Sequence, residues 1–335
     1  MDPHQPIEIS GTALRAGITP YGGYLTRLCV ANGRDVVLAH GDARARSTDP
    51  CHLGCIVGRH AGRIGAGTFE LDGWHHRLPC NAENAHLHGG ATGFGACVWD
   101  LHEVGPRHLL LGLESPDGHE NYPGRLRVRA RIEIDEPATL RMTFEAESSR
   151  PTLCSLTWHP YFNLAGHAGG HVGTHCVCIE SDRYLPLRPD FCPTGDTLDV
   201  AGTPFDLRSP RRLAGGLAAE HPQIRLAGGF DHYFPIRGSG LRPAARVESP
   251  DERVAMELWT TQPGVQFYTA NTLRLRGRGK QEESYGRHEA FCLEPQGYPD
   301  ASNCPAFPGN ELRPGETYRH VIEYRFDVRT PRPSA

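Results

Sequence analysis

Lysine is almost missing from this chain: Lys280 is the only one, and the remaining basic residues are arginines spread from end to end. Because they form no cluster, the skew reads as a mark of a GC-rich genome rather than of an anion site. An excess of either charge is also lacking. A formal net charge of −4 over 335 residues gives no electrostatic case for a nucleic acid or an anionic membrane as partner. No apolar run approaches the roughly 18 residues of a membrane-spanning helix. The segment Met1-Asp2-Pro3-His4-Gln5-Pro6 has neither the basic nor the apolar region of a secretory signal. The eleven cysteines, Cys29, Cys51, Cys55, Cys80, Cys97, Cys154, Cys176, Cys178, Cys192, Cys292 and Cys304, include no Cys-x-x-Cys pair and match no zinc framework. Several read as small core residues, as in Phe291-Cys292-Leu293. A reducing, cytoplasmic location is the expectation. Internal repeats, charge blocks and linker-like stretches are missing too, so residues 1–335 are expected to form one domain.

What is present is turn chemistry and two-residue alternation. Gly (39) and Pro (28) make one fifth of the chain, short of low-complexity disorder but enough to punctuate many short strands. Leu126, Val128, Ala130, Ile132 and Ile134 alternate with Arg125, Arg127, Arg129, Arg131 and Glu133, which predicts a strand with one wet face. After Glu136-Pro137 the pattern resumes with Leu140, Met142, Phe144 and Ala146, completing a hairpin. Ile322, Tyr324, Phe326 and Val328 repeat it near the C-terminus. Phe69–Leu71, Val254–Trp259 and Gln266–Thr269 are shorter strand candidates, and Arg211–Ala219 is the most helix-like segment, kept short by Gly215-Gly216. The expected fold class is all-β, a large antiparallel β-sandwich with a groove for a ligand.

Chemistry concentrates in four clusters. The first is Gly58–Ile64 with Asn84–Gly90, the second Trp158–Asn163, the third Phe230–Phe234, and the fourth Gln262–Tyr268 leading to Cys292–Gln296. Each sets ionisable groups among glycines or aromatic rings. Such company suits a sugar, which presents hydroxyls at its rim and C–H faces that pack on rings. Arg63, His88, Asp231 and Gln266 offer donors and acceptors for hydroxyls, while His159 and Glu294 supply an acid/base pair. A serine nucleophile elbow and a phosphate-cradling loop are both absent.

The 19 histidines invite a metal reading. His86-x-His88 in a strand would put both imidazoles on one side, but Gly89-Gly90-Ala91-Thr92-Gly93 follows with no third ligand. No metal site is expected there. His75 and His76 should point to opposite faces of a strand. His167, His171 and His175 fall in a glycine-rich stretch and read as loop residues.

Taken together these segments resemble the aldose 1-epimerase (galactose mutarotase) family. The likeness runs through Gly58–Ile64, Gly67–Gly73, Asn84–Gly90 with Gly93-Phe94 and Trp99, Asp117–Gly124 and His159–Leu164. It continues through Thr194-Gly195, Gly202–Asp206, Asp231-His232, Gln262–Asn271, Leu293–Gln296, Pro299-Asp300 and Leu312–Glu316. The match keeps its order from about Ile18 to Phe326, with a domain core at about 18–328. The resemblance implies a galactose-mutarotase-like β-supersandwich that interconverts α and β anomers of free aldoses such as galactose or glucose, with no cofactor. It implies Glu294 as the base at the anomeric hydroxyl and His159 as the acid at the ring oxygen. Arg63, His88, Asp231 and Gln266 match positions that hold sugar hydroxyls, and Tyr161 matches a pocket residue.

For that chemistry Glu294 is expected ionised and His159 protonated at rest. The chain departs from the family pattern at Gly62, where many relatives carry Asn, at Trp158 and Pro160 around the histidine, and at Asn121-Tyr122-Pro123-Gly124. All three departures are expected to bear on which sugar fits. A hexose-6-phosphate mutarotase using Arg59 or Arg274, and a sugar-binding protein without catalysis, are the competing readings. The expected partner is a monosaccharide, and the chain a monomer or homodimer.

Overall fold

The computed structural model describes residues 1–329. Its largest element is a nine-stranded antiparallel sheet running, edge to edge, Asp100–Val104, His108–Ser115, Leu126–Asp135, Thr139–Ser148, Tyr318–Val328, Val254–Thr260, Arg242–Glu248, Cys176–Ile179 and Arg211–Arg212. The anticipated hairpin supplies its third and fourth strands, with Leu126 opposite Ser148 and Asp135 opposite Thr139. Alternation does what period two requires: Leu126, Val128, Ala130, Ile132 and Ile134 are buried, while the arginines between them reach carboxylates such as Glu114, Glu103 and Glu133. Arg325, on the same outer face, stacks 3.8 Å over Trp259.

A second layer covers the inner face. It contains a three-stranded sheet, Asp231–Pro235, Gly264–Tyr268 and Cys292–Gln296, together with short paired segments around Ile56-Val57 and Thr157-Trp158. Phe162 ties the layers together, with its ring 5.0 Å from Tyr324 and 5.8 Å from Phe291. Phe267, Leu293, Phe144 and Tyr324 belong to the same buried cluster. This is the sheet-on-sheet packing expected of a sandwich. Helices are few and short, as Leu213–Leu217 and Pro222–Ala227 illustrate. Among the described residues no helix is long and apolar enough to cross a membrane.

Parity in the three-stranded sheet sets up the site. Phe234, Val265, Phe267 and Leu293 turn toward the core, so Asp231, Gln266 and Glu294 turn the other way. Register aligns them: Gln266 lies opposite both Tyr233 and Glu294, and Asp231 opposite Tyr268.

Candidate active site

One cavity of about 320 Å³ opens on that outward face, lined by Arg63, His88, His159, Tyr161, Asp231, Gln266 and Glu294, all seven site residues expected from sequence. Its size falls at the lower end of small-molecule pockets. Gln266 and Glu294 sit mid-strand, and the others arrive at or beside strand ends. Arg63 opens the strand Arg63–Gly65, which pairs with Ala85–Leu87. His159 follows Thr157-Trp158, and its backbone N–H donates to the Cys55 carbonyl over 3.0 Å. Tyr161 donates its hydroxyl to the Cys51 carbonyl at 2.8 Å and stacks on His159 with ring centroids 5.0 Å apart.

The proton-transfer candidates meet directly. His159 Nε2 lies 3.3 Å from Glu294 Oε1, with both side chains nearly sealed from solvent. Glu294 Oε2 and His159 Nδ1 have no protein partner. Beside them Gln266 Nε2 donates to Asp231 Oδ1 over 2.7 Å. Arg63 Nη1 stands 3.9 Å from Asp231 Oδ2, its guanidinium 5.1 Å from the Phe191 ring centre.

The electrostatics correct one expectation. Burial, reinforced by the Asp231 charge and only partly opposed by Arg63, pushes the Glu294 carboxyl well above the usual carboxylate range. Burial and then His52 push the His159 imidazole down to about 3. Both shifts favour the uncharged form, because a low-dielectric pocket penalises ions. At rest the pair therefore holds one proton in total, and desolvation places it on the carboxyl rather than on the ring.

His86 and His88 do not share a side as period two had suggested. The strand ends at Leu87, and His88 takes a left-handed backbone with φ +53°. His86 accordingly packs its ring edge-on 5.3 Å from Tyr122, while His88 turns into the cavity. His88, His159 and Glu294 bring one donor atom each within 4.8 Å of one another, the one such cluster among the described residues. That set fits a hydroxyl better than a metal. His88 Nδ1 accepts from the Gly62 N–H at 3.3 Å, which leaves Nε2 carrying the proton and facing out as a donor, with no lone pair for an ion.

The histidines of the glycine-rich stretch are structural. His175 lies in a loop, as expected, but is buried there, and its Nε2 accepts from the Leu164 N–H at 3.1 Å. His167 meets the Tyr285 hydroxyl at 3.0 Å, and His171 Nδ1 accepts from the Gly173 N–H.

Two of the three departures from the family pattern lie outside the cavity. Trp158 is fully buried and donates to the Gly23 carbonyl at 3.0 Å, since its parity is opposite to that of His159. Tyr122 packs against Arg59, whose guanidinium is spent on the Ser115, Pro116, Pro123 and Gly124 carbonyls. Gly62 alone of the three lines the pocket. Tyr233 and Tyr268, inside the third and fourth clusters but given no role, also line it, as do His52 and Phe191, which sequence reading missed because they stand in loops without alternation or cluster to mark them.

The aldose 1-epimerase family model matches residues 6–325. The chain belongs to the aldose 1-epimerase family. It is 40% identical to the galactose mutarotase of Homo sapiens over 97% of this chain and 94% of that one. It is 33% identical to the aldose 1-epimerase of Escherichia coli (strain K12), covering 88% and 85% respectively. Among solved structures it superposes on an aldose epimerase homologue from C. elegans with a TM-score of 0.90 at 27% identity, covering 97% of this chain and 99% of that chain. It also matches the galactose 1-epimerase from Lactobacillus acidophilus, with a TM-score of 0.85 at 28% identity over 98% and 96%. The galactose-mutarotase-like fold and an epimerase acting on carbohydrates follow from this membership.

Proposed function

We propose that the protein is an aldose 1-epimerase interconverting the α and β anomers of a free aldose such as galactose or glucose. The observation that carries the reading is the 3.3 Å approach of His159 Nε2 to Glu294 Oε1 inside a cavity lined with hydroxyl-binding groups. In this reading Glu294 takes the proton from the anomeric hydroxyl O1, and His159 gives one to the ring oxygen O5. The C1–O5 bond breaks as the C1=O1 carbonyl forms. Rotation about C1–C2 then presents the other carbonyl face, and the same groups, roles reversed, close the ring.

Proton bookkeeping links this cycle to burial. With the closed sugar bound, the shared proton passes from Glu294 to His159, so the reacting pair is a carboxylate and an imidazolium, whereas the open aldehyde faces a carboxylic acid and a neutral imidazole. Ring opening therefore discharges an ion pair that the pocket disfavours, and ring closing restores it. The total on the two residues stays at one proton throughout, so no cofactor or outside proton is called for. Arg63, His88, Asp231 and Gln266 hold sugar hydroxyls, and Tyr161 supplies a ring wall.

A neutral sugar is favoured over a phosphorylated one. Arg63 is the cation of the cavity wall among the described residues, already facing Asp231, and Asp190 and Glu83 also line it. Arg59 is buried in its carbonyl cage and Arg274 is exposed and does not line the cavity. We further read residues 1–335 as one domain acting in the cytoplasm as a monomer or homodimer.

Polarimetry or a coupled assay on freshly dissolved α-glucose and α-galactose tests the reading. Acceleration over buffer is expected; none with any free aldose would overturn it.

A further inference from the structure

His52 is the pocket histidine that the roles above leave unused. It sits in the turn Asp49–Gly54, which strand pairing does not fix. The turn is nevertheless rigidly held. The Asp49 carboxylate accepts from the Cys51 N–H at 2.8 Å and the Leu53 N–H at 2.6 Å, and lies 3.0 Å from His40 Nε2 with both side chains almost fully buried. The Gly54 N–H donates to the His52 carbonyl at 2.7 Å and to the His159 carbonyl at 3.0 Å, while the His159 N–H donates to Cys55. Turn and catalytic segment are thus one hydrogen-bonded unit, and the position of His52 is fixed relative to His159 through backbone.

The ring is aimed. His52 occupies a left-handed backbone, φ +55°, a conformation that costs a residue with a Cβ and is kept where the surroundings over-determine it. Its ring centre lies 4.8 Å from that of His88 at an interplanar angle of 66°, and 6.3 Å from that of His159. Nδ1 rests 3.8 Å from Cys55 Sγ, so Nε2, on the opposite edge, is the nitrogen left for the cavity that His52 lines. Burial holds the ring below its usual pKa, hence neutral and able to donate or accept once.

Building on the mutarotase reading, we propose that His52 contacts one hydroxyl of the sugar through Nε2 and helps set which aldoses are accepted. A proton-transfer role does not suit it, because His159 and Glu294 already form a closed one-proton pair with which it shares no hydrogen bond. A fixed, buried polar edge discriminates strongly against a ligand that leaves it unpaired.

The test compares wild type, His52→Phe and His52→Asn on galactose, glucose and their monodeoxy derivatives, with melting curves for each protein. His52→Phe keeps the ring and loses the nitrogen; His52→Asn keeps a polar edge and suits the left-handed backbone. Removing one hydrogen bond should lower kcat/KM for the parent sugar about tenfold, mainly through KM, and the loss should vanish for one deoxy sugar, the one lacking the contacted hydroxyl. Should the phenylalanine variant fail to fold, the same pattern is read from His52→Asn. Unchanged kcat/KM, or an equal loss on every deoxy sugar, overturns the assignment of His52. If wild type accelerates no aldose, the mutarotase reading itself fails; if wild type is active, Glu294→Gln dead and the His52 variants normal, only this inference does.

Discussion

Gly89 is pressed against the backbone of Gly58: a Cβ on Gly89 would fall 1.9 Å from the Gly58 carbonyl oxygen. Its φ of +84° adds a second demand for glycine. This contact fixes the chain directly after His88 and so fixes where that imidazole points. Gly118 offers a control, with φ +83° and nothing within 4 Å of a would-be Cβ. Gly89→Ala is expected to lower the melting temperature sharply and abolish most activity. Gly118→Ala should cost only about 1–2 kcal/mol, the left-handed penalty itself, and leave kcat intact. Equal melting shifts for the two would show that the Gly58 contact carries no weight.

The protonation of the buried pair dictates a pH profile. Two independent groups at ordinary values, an ionised carboxylate and a protonated imidazole, would give a narrow bell between about 4.3 and 6.5. A pair sharing one proton behaves otherwise, since its titrations belong to the pair. Activity should fall on the acid side only near about 3, where His159 takes up a second proton. On the alkaline side it should fall well above the ordinary carboxylate range, where the last proton leaves. The expected kcat/KM curve, measured by polarimetry in inert buffers, is a plateau through neutral pH. A decline centred near 6.5 would contradict the shared proton.

Much of this was legible in the chain. Alternation alone marks Leu126–Ile134 and Leu140–Ala146 as a hairpin, and those residues form adjacent inner strands of the large sheet. The seven site residues could be named from motif order because each sits beside glycine, proline or an aromatic residue. Counting by twos failed at His88, where a positive φ ends the strand, and the loop reading of His175 gave no sign that the residue is buried. His52 carries no local signal: its importance comes from the hydrogen bonds between its turn and His159, 107 residues on. The charge state of Glu294 was misread for a similar reason, since desolvation is a property of everything packed around it.

Asp49 should behave as the keystone of the turn carrying His52. Burial would raise its carboxyl, but His40 and the Cys51 and Leu53 amides outweigh that and hold it below its usual value. A depressed folded-state value means stability that is present above about pH 3.9, the unfolded value, and lost as pH falls through the folded one. Asp49→Ala leaves the Cys51 and Leu53 N–H groups without their acceptor and is expected to cost about 1–3 kcal/mol, seen in urea melts at pH 7. The difference from wild type should shrink as the pH drops below 4. A variant as stable as wild type at neutral pH would remove the case for this pair.

Glu294→Gln separates stability from catalysis. A carboxyl whose folded-state value is raised is protonated in the folded chain and ionised in the unfolded one between the two values, so stability falls as pH rises through that window. Glu294 is such a group, and it burdens the fold at neutral pH in exchange for its place in the pocket. Glutamine keeps the shape and cannot ionise. The variant should lose about 10²-fold or more in kcat, the usual contribution of a positioned base, while its melting temperature rises above that of wild type at pH 8 and converges with it near pH 4. The combination matters more than either part. An inactive variant that is also less stable at pH 8 would mean that Glu294 is held ionised by its neighbours, and the neutral resting pair would have to be given up.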